Sequence, residues 1–345
     1  MTIMKSENLS ISAGKNPLPV SLAAIRQAAA RLAGQVERTP LVYSDNLSER
    51  CGHPVHLKLE TLQPIGAFKL RGAMNAVLSL DDSARRRGLV TASTGNHGRA
   101  VAYAARKLEI PATICMSALV PANKVEAIRA LGADIRIIGM SQDDAQEEVE
   151  RLTASNGLTA IPPFDDPDVV AGQGTIGIEI IEDMPDLSAV LIPLSGGGLA
   201  GGIAVAVKAL KPQARVIGIS MERGAAMHAS VTAGRPISVK EEETLADSLG
   251  GGIGLANRVT FALCRELLDD IVLVSEDEIA AGICHAAQEE GLTVEGAAAV
   301  GFAAILSGKI DITGPTAIIV SGGNIDPAVH KRIIDGGAAC ATLPS

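Results

Sequence analysis

A single lysine lies between two glycines in residues 66–73, with the sequence GAFKLRGA. We expect this segment to be a turn that leads into a helix. Apolar neighbours such as Leu59 and Phe68 would disfavour the charged amine of Lys69, and burial can lower a lysine pKa by up to about 3–5 units from its ordinary value near 10.4. An unprotonated Lys69 could then attack a carbonyl group and form a Schiff base. The alternative, a surface lysine at the start of a helix, stays open on these eight residues alone.

A second candidate site is the glycine-rich segment 195–202, SGGGLAGG, which follows an apolar strand and opens a helix. Glycines allow a ligand to approach the backbone closely, and the N–H groups at a helix start attract anions. We therefore expect this segment to bind phosphate. Gly196, Gly198 and Gly201 also match the G-x-G-x-x-G pattern of dinucleotide sites, with Glu222 about twenty residues later. Close packing of a helix against a strand is the remaining alternative.

Two polar loops complete the set of candidates. Residues 93–98, STGNHG, lie between a predicted strand and a predicted helix, and their hydroxyls and backbone N–H groups would suit a carboxylate, although helix capping alone explains part of the pattern. His97 is as consistent with a structural role as with a catalytic one. Residues 321–324, SGGN, follow the last predicted strand, and ligands in open α/β sheets bind beyond the carboxyl ends of strands. A plain turn is the alternative there.

The elements that must position these residues alternate between strand and helix. Apolar runs predict strands at 55–60, 89–92, 112–115, 134–138, 189–193, 215–220, 271–274 and 317–320. Helical spacing predicts helices at 20–32, 73–80, 98–107, 122–131, 143–154, 169–182, 203–210, 225–233, 276–290 and 296–306, and one from about 327. This order predicts an α/β fold with parallel sheets.

Composition agrees with that fold and limits the partners. The 345 residues are 47% hydrophobic but only 2% aromatic, with 36 glycines, so small aliphatic side chains must pack the core. The formal charge of −9 without a basic run disfavours nucleic acid and membrane surfaces as partners and favours a small-molecule substrate. We find neither a signal peptide nor a membrane span, and we interpret the five cysteines, which lack CxxC spacing, as reduced thiols. A cytoplasmic location follows by default.

Together, these motifs resemble the threonine dehydratase/serine racemase family of pyridoxal-phosphate enzymes, from about residue 25 to about residue 329. The resemblance implies the fold of tryptophan synthase β-subunits, fold type II, with pyridoxal 5′-phosphate in a cleft between two domains. The motifs that carry it are Lys58-Leu59-Glu60, Gln63, Gly66, Phe68-Lys69, Arg71-Gly72-Ala73, the 93–98 loop, residues 171–175 (AGQGT), the 195–199 loop and the 321–324 loop. The domains would be 1–84 with 159–345 as the large domain, and 85–158 as the small one.

The resemblance also implies roles for individual residues. Lys69 would form the Schiff base with the cofactor and later remove the α-proton of the substrate, with Phe68 beside the ring. The remaining cofactor contacts would be Asn96 to the phenolic oxygen, Ser321 to the pyridine nitrogen, and Ser195, Gly196, Gly197, Gly198 and Leu199 to the phosphate. The substrate carboxylate would lie against Ser93, Thr94, Gly95 and His97. No required metal is implied, because Ser220 and Ala226 stand where metal-dependent relatives carry acidic ligands.

The implied activity is elimination of water from a β-hydroxy α-amino acid, which gives a 2-oxo acid and ammonia. Thr94 stands where racemases of the family carry a catalytic serine, so racemisation remains an alternative; a nicotinamide-dependent dehydrogenase is a more remote one. The segment 247–252, DSLGGG, departs from the family pattern and suggests an unusual substrate. Within the family, the chain looks most like dehydratases assigned to hydroxyectoine utilisation, and threonine, serine and 3-hydroxyaspartate are further candidate substrates. Relatives suggest a homodimer or a homotetramer.

Overall fold

The computed structural model describes residues 17–120 and 122–336. The strands are β1 Leu41–Tyr43, β2 Val55–Leu59, β3 Leu89–Ala92, β4 Ala112–Met116, β5 Asp134–Ile137, β6 Thr159–Ala160, β7 Ala189–Pro193, β8 Arg215–Met221, β9 Asp270–Val274 and β10 Thr316–Val320. The α-helices are α1 Leu22–Leu32, α2 Asp45–Cys51, α3 Lys69–Ser79, α4 Asp82–Arg87, α5 Asn96–Lys107, α6 Ala122–Arg129, α7 Gln142–Asn156, α8 Pro167–Asp183, α9 Gly198–Leu210, α10 Ala226–Ala233, α11 Thr260–Leu267, α12 Glu276–Gln288, α13 Gly296–Leu306 and α14 Pro327–Asp335.

The larger sheet has the strand order β1-β2-β10-β7-β8-β9. All of its pairs are parallel except β1 with β2, and β2 pairs with β10 in a register that places Leu59 opposite Val320. Helices α12 and α13 cover one face, while α8 and α9 cover the other. Every residue of α13 is buried, as expected for a helix that is apolar all round.

The smaller sheet has the order β5-β4-β3-β6, and all of its pairs are parallel. Helices α5 and α6 pack on one face and α7 packs on the other. Its strand β6 begins at residue 159, one residue beyond the small-domain boundary expected from the sequence. Helix α3, which follows the larger sheet's strand β2, packs against α5 and so connects the two sheets.

The order of the strands brings the candidate loops together. Parallel strands carry their carboxyl ends at the same edge of a sheet. In the larger sheet the adjacent strands β2, β10 and β7 lead into the lysine segment, the 321–324 loop and the 195–199 loop, respectively. The 93–98 loop follows β3 in the smaller sheet. The fold therefore positions three of the four candidate segments along one sheet edge and supplies the fourth from the other sheet.

The predicted strands and helices are found near their expected positions, with informative differences. Helices predicted from residues 73, 98 and 203 begin earlier, at Lys69, Asn96 and Gly198. The first turn of each of these helices contains a glycine, which has weak helix propensity and interrupts the helical pattern. The helix predicted at 73–80 and its basic end form two helices, α3 and α4. The antiparallel edge strand β1 and the helices α2 and α11 were not predicted from the sequence.

Three of the five cysteines are free thiols, as the sequence predicts, and one is not. Cys51, Cys115 and Cys264 are free thiols. The interpretation as reduced thiols is wrong for Cys284, which is disulfide-bonded, and Cys340 lies outside the described residues. None of the helices in the described ranges is long and apolar enough to cross a membrane.

Candidate active site

Lys69 is the first residue of α3 and is half-buried. Its Nζ donates a hydrogen bond of 2.7 Å to the carbonyl oxygen of Pro163 and lies 5.4 Å from the centroid of the Phe68 ring. Burial lowers the pKa of Lys69 to about 8, although the charge of Glu295 opposes that shift. The surface-lysine alternative therefore does not describe this residue, whose amine loses its proton at a lower pH than a solvated lysine does.

A buried cluster of charges holds α3 in place behind Lys69. Arg71 lies two residues after Lys69 in α3 and is almost completely buried. It pairs with Glu60 at 2.8 Å and with Glu179 at 2.6 Å. Lys58 on β2 also pairs with Glu179 at 2.6 Å. Burial alone would raise the pKa of Glu60, but Arg71, together with the Thr39 hydroxyl and the charge of Lys58, holds that pKa below its ordinary value. The cluster joins β2, α3 and α8, so the backbone that carries Lys69 is firmly anchored.

The last strand of the larger sheet meets the lysine segment directly. The backbone N–H of Phe68 donates to the carbonyl oxygen of Ser321 at 2.9 Å, and Ala67 forms an isolated bridge with Gly322. Ser321 itself is buried. Lys69 and Ser321, which are 252 positions apart in the sequence, are thus neighbours in the site.

A buried carboxylate that the sequence analysis did not single out lies at the centre of this arrangement. Asn96 donates through its Nδ2 to both carboxylate oxygens of Glu295, at 2.9 and 3.0 Å. Burial raises the pKa of Glu295 to about 7, and the charge of Asp247 raises it further while Asn96 lowers it. A Cβ added to Gly322 would lie 2.6 Å from a Glu295 oxygen, so that glycine is needed for the carboxylate to fit.

The 195–199 loop has the backbone of an anion site. Gly197 has φ +86°, a conformation that favours glycine, and it caps the start of α9 without a side-chain hydrogen bond. The first-turn N–H groups of Gly198 and Leu199 cannot be satisfied by carbonyls of their own helix, and the helix dipole favours an anion beside them. The ring of Phe164 packs over Gly196, where a Cβ would come within 2.5 Å. Close packing and anion binding thus both require glycines here.

The 93–98 loop leads into α5, whose cap is Gly95 with no side-chain hydrogen bond. Helix capping therefore does not account for the hydroxyls of Ser93 and Thr94, which are both half-buried. The Ser93 hydroxyl accepts a long hydrogen bond of 3.4 Å from the N–H of Gly95. The loop offers hydroxyls and first-turn N–H groups on the side of the site opposite the larger sheet.

His97 has a structural side chain. Its Nε2 lies 2.9 Å from the carbonyl oxygen of Ile161, and because a carbonyl can only accept, this nitrogen carries the proton. Burial and then the charge of Lys69 lower the pKa of His97 to about 3, so the ring is neutral. Its Nδ1 is buried and has no hydrogen-bond partner among the described residues. A neutral ring of this tautomer has no second N–H, so a carboxylate could be bound only by the backbone N–H of His97.

Glu222, the acidic residue of the dinucleotide pattern, is exposed and pairs with Lys309 at 3.3 Å. The unusual 247–252 segment begins with a short 3₁₀ turn, Asp247–Leu249, in which the Ser248 hydroxyl donates to Asp247 at 3.3 Å. Within residues 17–120 and 122–336, no group of three or more His, Cys, Asp or Glu side chains could hold a metal ion.

Comparison with known proteins assigns the family. Residues 32–322 match the family model described as pyridoxal-phosphate dependent enzyme. The chain belongs to this family. The dinucleotide interpretation of Gly196, Gly198 and Gly201 is left without support, and pyridoxal phosphate is the cofactor.

The relatives agree with this assignment. A protein of Sinorhizobium fredii, provisionally named a threonine dehydratase, is 59% identical to this chain over 318 residues. The match covers 92% of this chain and 96% of that protein. The L-threonine ammonia-lyase of Thermotoga maritima is 43% identical, over 92% of this chain and 79% of that protein. The structure of maize serine racemase superposes with a TM-score of 0.87 at 33% identity, covering 92% of this chain and 98% of that chain. The predicted α/β fold of type II is confirmed.

The residues of this pyridoxal-phosphate enzyme fit the cofactor's functional groups. The half-buried amine of Lys69 suits an aldehyde, and the first turn of α9 suits a phosphate. The N–H₂ group of Asn96 is a donor for a phenolate oxygen, and the buried hydroxyl of Ser321 can bond a ring nitrogen. Lys69, Ser321 and the start of α9 lie at one edge of the larger sheet, and Asn96 comes from the loop after β3 of the smaller sheet.

The structure adds residues that sequence reasoning missed. Glu295, Asn324 and Arg99 contact Asn96 or one another, and Pro163 and Phe164 lie between Lys69 and the glycine loop. One signal was available for Glu295, because a lone acidic residue before the wholly apolar run 296–306 is unusual. Asn324 lay within a recognised motif but had no assigned role.

Proposed function

We propose that the protein is a pyridoxal-phosphate-dependent hydroxy-amino-acid dehydratase, a lyase that converts a β-hydroxy α-amino acid into a 2-oxo acid and ammonia. The observation that carries the proposal is the half-buried amine of Lys69, whose pKa is lowered to about 8 and which follows a strand of the same sheet edge as the glycine-rich start of α9. The Asn96–Glu295 pair belongs to the same group of loops. The named relatives in the family support the same reaction class.

In this mechanism the cofactor, when bound, acidifies the α-proton of the amino acid. Lys69 removes that proton, because an amine with a pKa of about 8 is partly unprotonated near neutral pH and therefore can act as a general base. The hydroxyls of Ser93 and Thr94 and the backbone N–H groups of Gly95 and His97 bind the substrate carboxylate. Phe68, next to Lys69, would lie beside the cofactor ring.

Ser321 favours elimination over reactions that need a long-lived carbanion. A neutral hydroxyl does not stabilise a protonated ring nitrogen as a carboxylate would, so the ring is a weaker electron sink. Under those conditions, prompt departure of the β-hydroxyl is the expected course. Glu295 is a carboxylate in the same site, but it accepts hydrogen bonds from Asn96, which is assigned to the phenolic oxygen and not to the ring nitrogen.

Lys69→Ala tests the proposal, with Lys208→Ala as a control because Lys208 lies in α9 and pairs with Asp269. Proton transfer by a positioned group contributes about 10²–10⁴-fold to rate, so we expect turnover to fall by at least that factor, together with loss of the visible absorbance of bound cofactor. Borohydride reduction of the unaltered enzyme should leave a pyridoxyl label on the peptide that contains Lys69. A yellow and active Lys69→Ala protein would overturn the assignment.

Racemisation is the second candidate. It is favoured by the half-buried hydroxyl of Thr94, which lies on the loop opposite Lys69's sheet, and by the likeness to maize serine racemase. If Thr94 is the second acid–base group, Thr94→Ala should suppress inversion of serine more than elimination. Equal loss of both reactions would indicate a binding role for Thr94 instead.

Other features of the proposal come from the family resemblance. The large domain would comprise 1–84 with 159–345 and the small domain 85–158, with the cofactor between them. A homodimer or homotetramer, a cytoplasmic location and a substrate from hydroxyectoine breakdown stay predictions. Threonine, serine and 3-hydroxyaspartate are the other substrates that the proposal includes.

A further inference from the structure

A chain of hydrogen-bonded side chains extends from Asn96 to the far side of the site. Arg99 donates through Nη1 to Oδ1 of Asn324 at 2.7 Å. Asn324 donates through Nδ2 to Oδ1 of Asn96 at 2.7 Å and to the carbonyl oxygen of Ile65 at 2.9 Å. Asn96 in turn donates through Nδ2 to Glu295. Arg99, Asn324, Asn96 and Glu295 form what we call the amide relay.

The amide relay has a direction that its chemistry determines. A guanidinium has only donors, so the amide of Asn324 must turn its oxygen toward Arg99. Its nitrogen then faces the carbonyl of Ile65, which can only accept, and the oxygen of Asn96. The oxygen of Asn96 is thereby engaged, and its N–H₂ group faces the site. At the other end, an ionised Glu295 can only accept, which agrees with the same orientation.

The two asparagines would otherwise be free to turn over. The oxygen and nitrogen of an amide have nearly the same shape, so only the hydrogen-bond partners select one orientation. Ile65 and Arg99 are the two partners that cannot reverse their roles at the Asn324 end. Arg99 lies one turn from Asn96 on α5, half-buried, beside a cavity of about 330 Å³ that Pro64, Gly66 and Asn324 also line.

We propose that Arg99 and Asn324 are positioning residues that fix the amide polarity of Asn96, so that it presents N–H rather than C=O to the phenolic oxygen of the cofactor. This inference rests on the proposed function, which assigns Asn96 to that oxygen. A reversed amide would set its carbonyl oxygen against the phenolate and against Glu295, and both contacts would become repulsive. Arg99 thus acts on the cofactor through two amides without touching it.

A matched pair of variants separates amide polarity from charge. Arg99→Gln and Arg99→Leu remove the same positive charge, but only glutamine keeps a donor for Asn324. Arg106→Gln is the control, because Arg106 lies on the same helix, is exposed, and donates to Ala130 instead. The measurements are the dissociation constant for pyridoxal phosphate and the pH midpoint of the visible band of the bound cofactor, with thermal unfolding of the cofactor-free proteins as the folding check.

We expect Arg99→Leu to bind pyridoxal phosphate about tenfold more weakly, the scale set by one hydrogen bond to a charged group, and to shift the pH midpoint upward. Arg99→Gln should stay within about threefold of the unaltered protein in affinity, and Arg106→Gln should not differ from it. The inference is overturned if Arg99→Leu binds normally, or if both Arg99 variants weaken binding equally, which would indicate a charge effect. If the unaltered protein itself binds no pyridoxal phosphate, the proposed function has failed and not the relay alone.

Discussion

Lys69 shows how one side chain can be costly to the fold and still be suited to the proposed chemistry. Its ammonium is disfavoured by burial, which is why its pKa falls to about 8. In the unfolded chain the same amine keeps an ordinary pKa near 10.5. A charged Lys69 therefore lowers the free energy of unfolding at neutral pH. The proposed base function depends on the same burial, because burial lowers the pKa of the amine.

The cofactor-free protein should become more stable when Lys69 is replaced by methionine. At pH 7 the amine is charged in both the folded and the unfolded state, so the whole cost of burying the charge is present. Between about pH 8 and pH 10.5 the folded protein binds fewer protons than the unfolded chain, so the stability of the parent protein rises and this cost is relieved. We expect Lys69→Met to raise the free energy of unfolding by about 1 kcal/mol at pH 7, after allowance for partial exposure. Urea unfolding at pH 7 and pH 10 measures the difference.

The gain should shrink at pH 10. A Lys69→Met protein that is less stable than the parent at pH 7, or whose advantage is the same at both pH values, would show that burial of the ammonium is not what lowers the pKa. Lys331→Met provides the control, since the amine of Lys331 is exposed and pairs with Asp335 on the same helix.

For individual residues, the sequence indicated which side chains could do chemistry but did not reveal their hydrogen-bond partners. Lys69, Asn96 and Ser321 were singled out because their types and motifs suggested chemistry. Glu295 was not, since its contact with Asn96 joins residues 199 positions apart. The side-chain role of His97 was also undecided until the carbonyl of Ile161 was seen to engage its Nε2.

Among the elements, α3 depends on the buried cluster of Lys58, Glu60, Arg71 and Glu179. Removing the guanidinium would leave the fully buried carboxylate of Glu60 without its main counter-charge. Breaking a buried ion pair by removing one partner typically costs about 3–5 kcal/mol. The cluster therefore matters both for stability and for the placement of Lys69 two residues earlier.

Arg71→Met should lower the free energy of unfolding by about 3–5 kcal/mol, as measured by urea unfolding of the cofactor-free protein. Arg86→Met is the control, since Arg86 is exposed on the short helix α4 and its loss should change stability by less than about 0.5 kcal/mol. Similar small losses for both variants would mean that the cluster does not anchor α3.

The elements themselves were largely predictable, because apolar runs and helical spacing mark strands and buried helices directly. The starts of α3, α5 and α9 were placed too late, and these are the ends that carry Lys69, Asn96 and the glycine loop. A glycine within the first turn of each helix has weak helix propensity, so the glycines of these loops obscure the local signal. Short elements such as β1 and β6 gave too little periodicity to predict.

For the whole molecule, strand order is what turns separate motifs into one site. The adjacent strands β2, β10 and β7 carry three of the candidate loops at one sheet edge, and α3 and α5 connect them with the loop of the smaller sheet. Periodicity could not reveal that β2 pairs with β10, since this pairing joins parts of the chain about 260 residues apart. The resemblance to a known family supplied the arrangement that local patterns could not.

The most direct test of this account is a product assay on the enzyme loaded with pyridoxal phosphate. Both enantiomers of threonine and serine, and the isomers of 3-hydroxyaspartate, would be incubated with it, and ammonia, 2-oxo acid and inverted amino acid would be quantified in each reaction. We predict equal amounts of ammonia and 2-oxo acid from at least one of these substrates, and neither product with Lys69→Ala. Inverted amino acid without 2-oxo acid, or no product from any β-hydroxy amino acid, would contradict the proposed dehydratase.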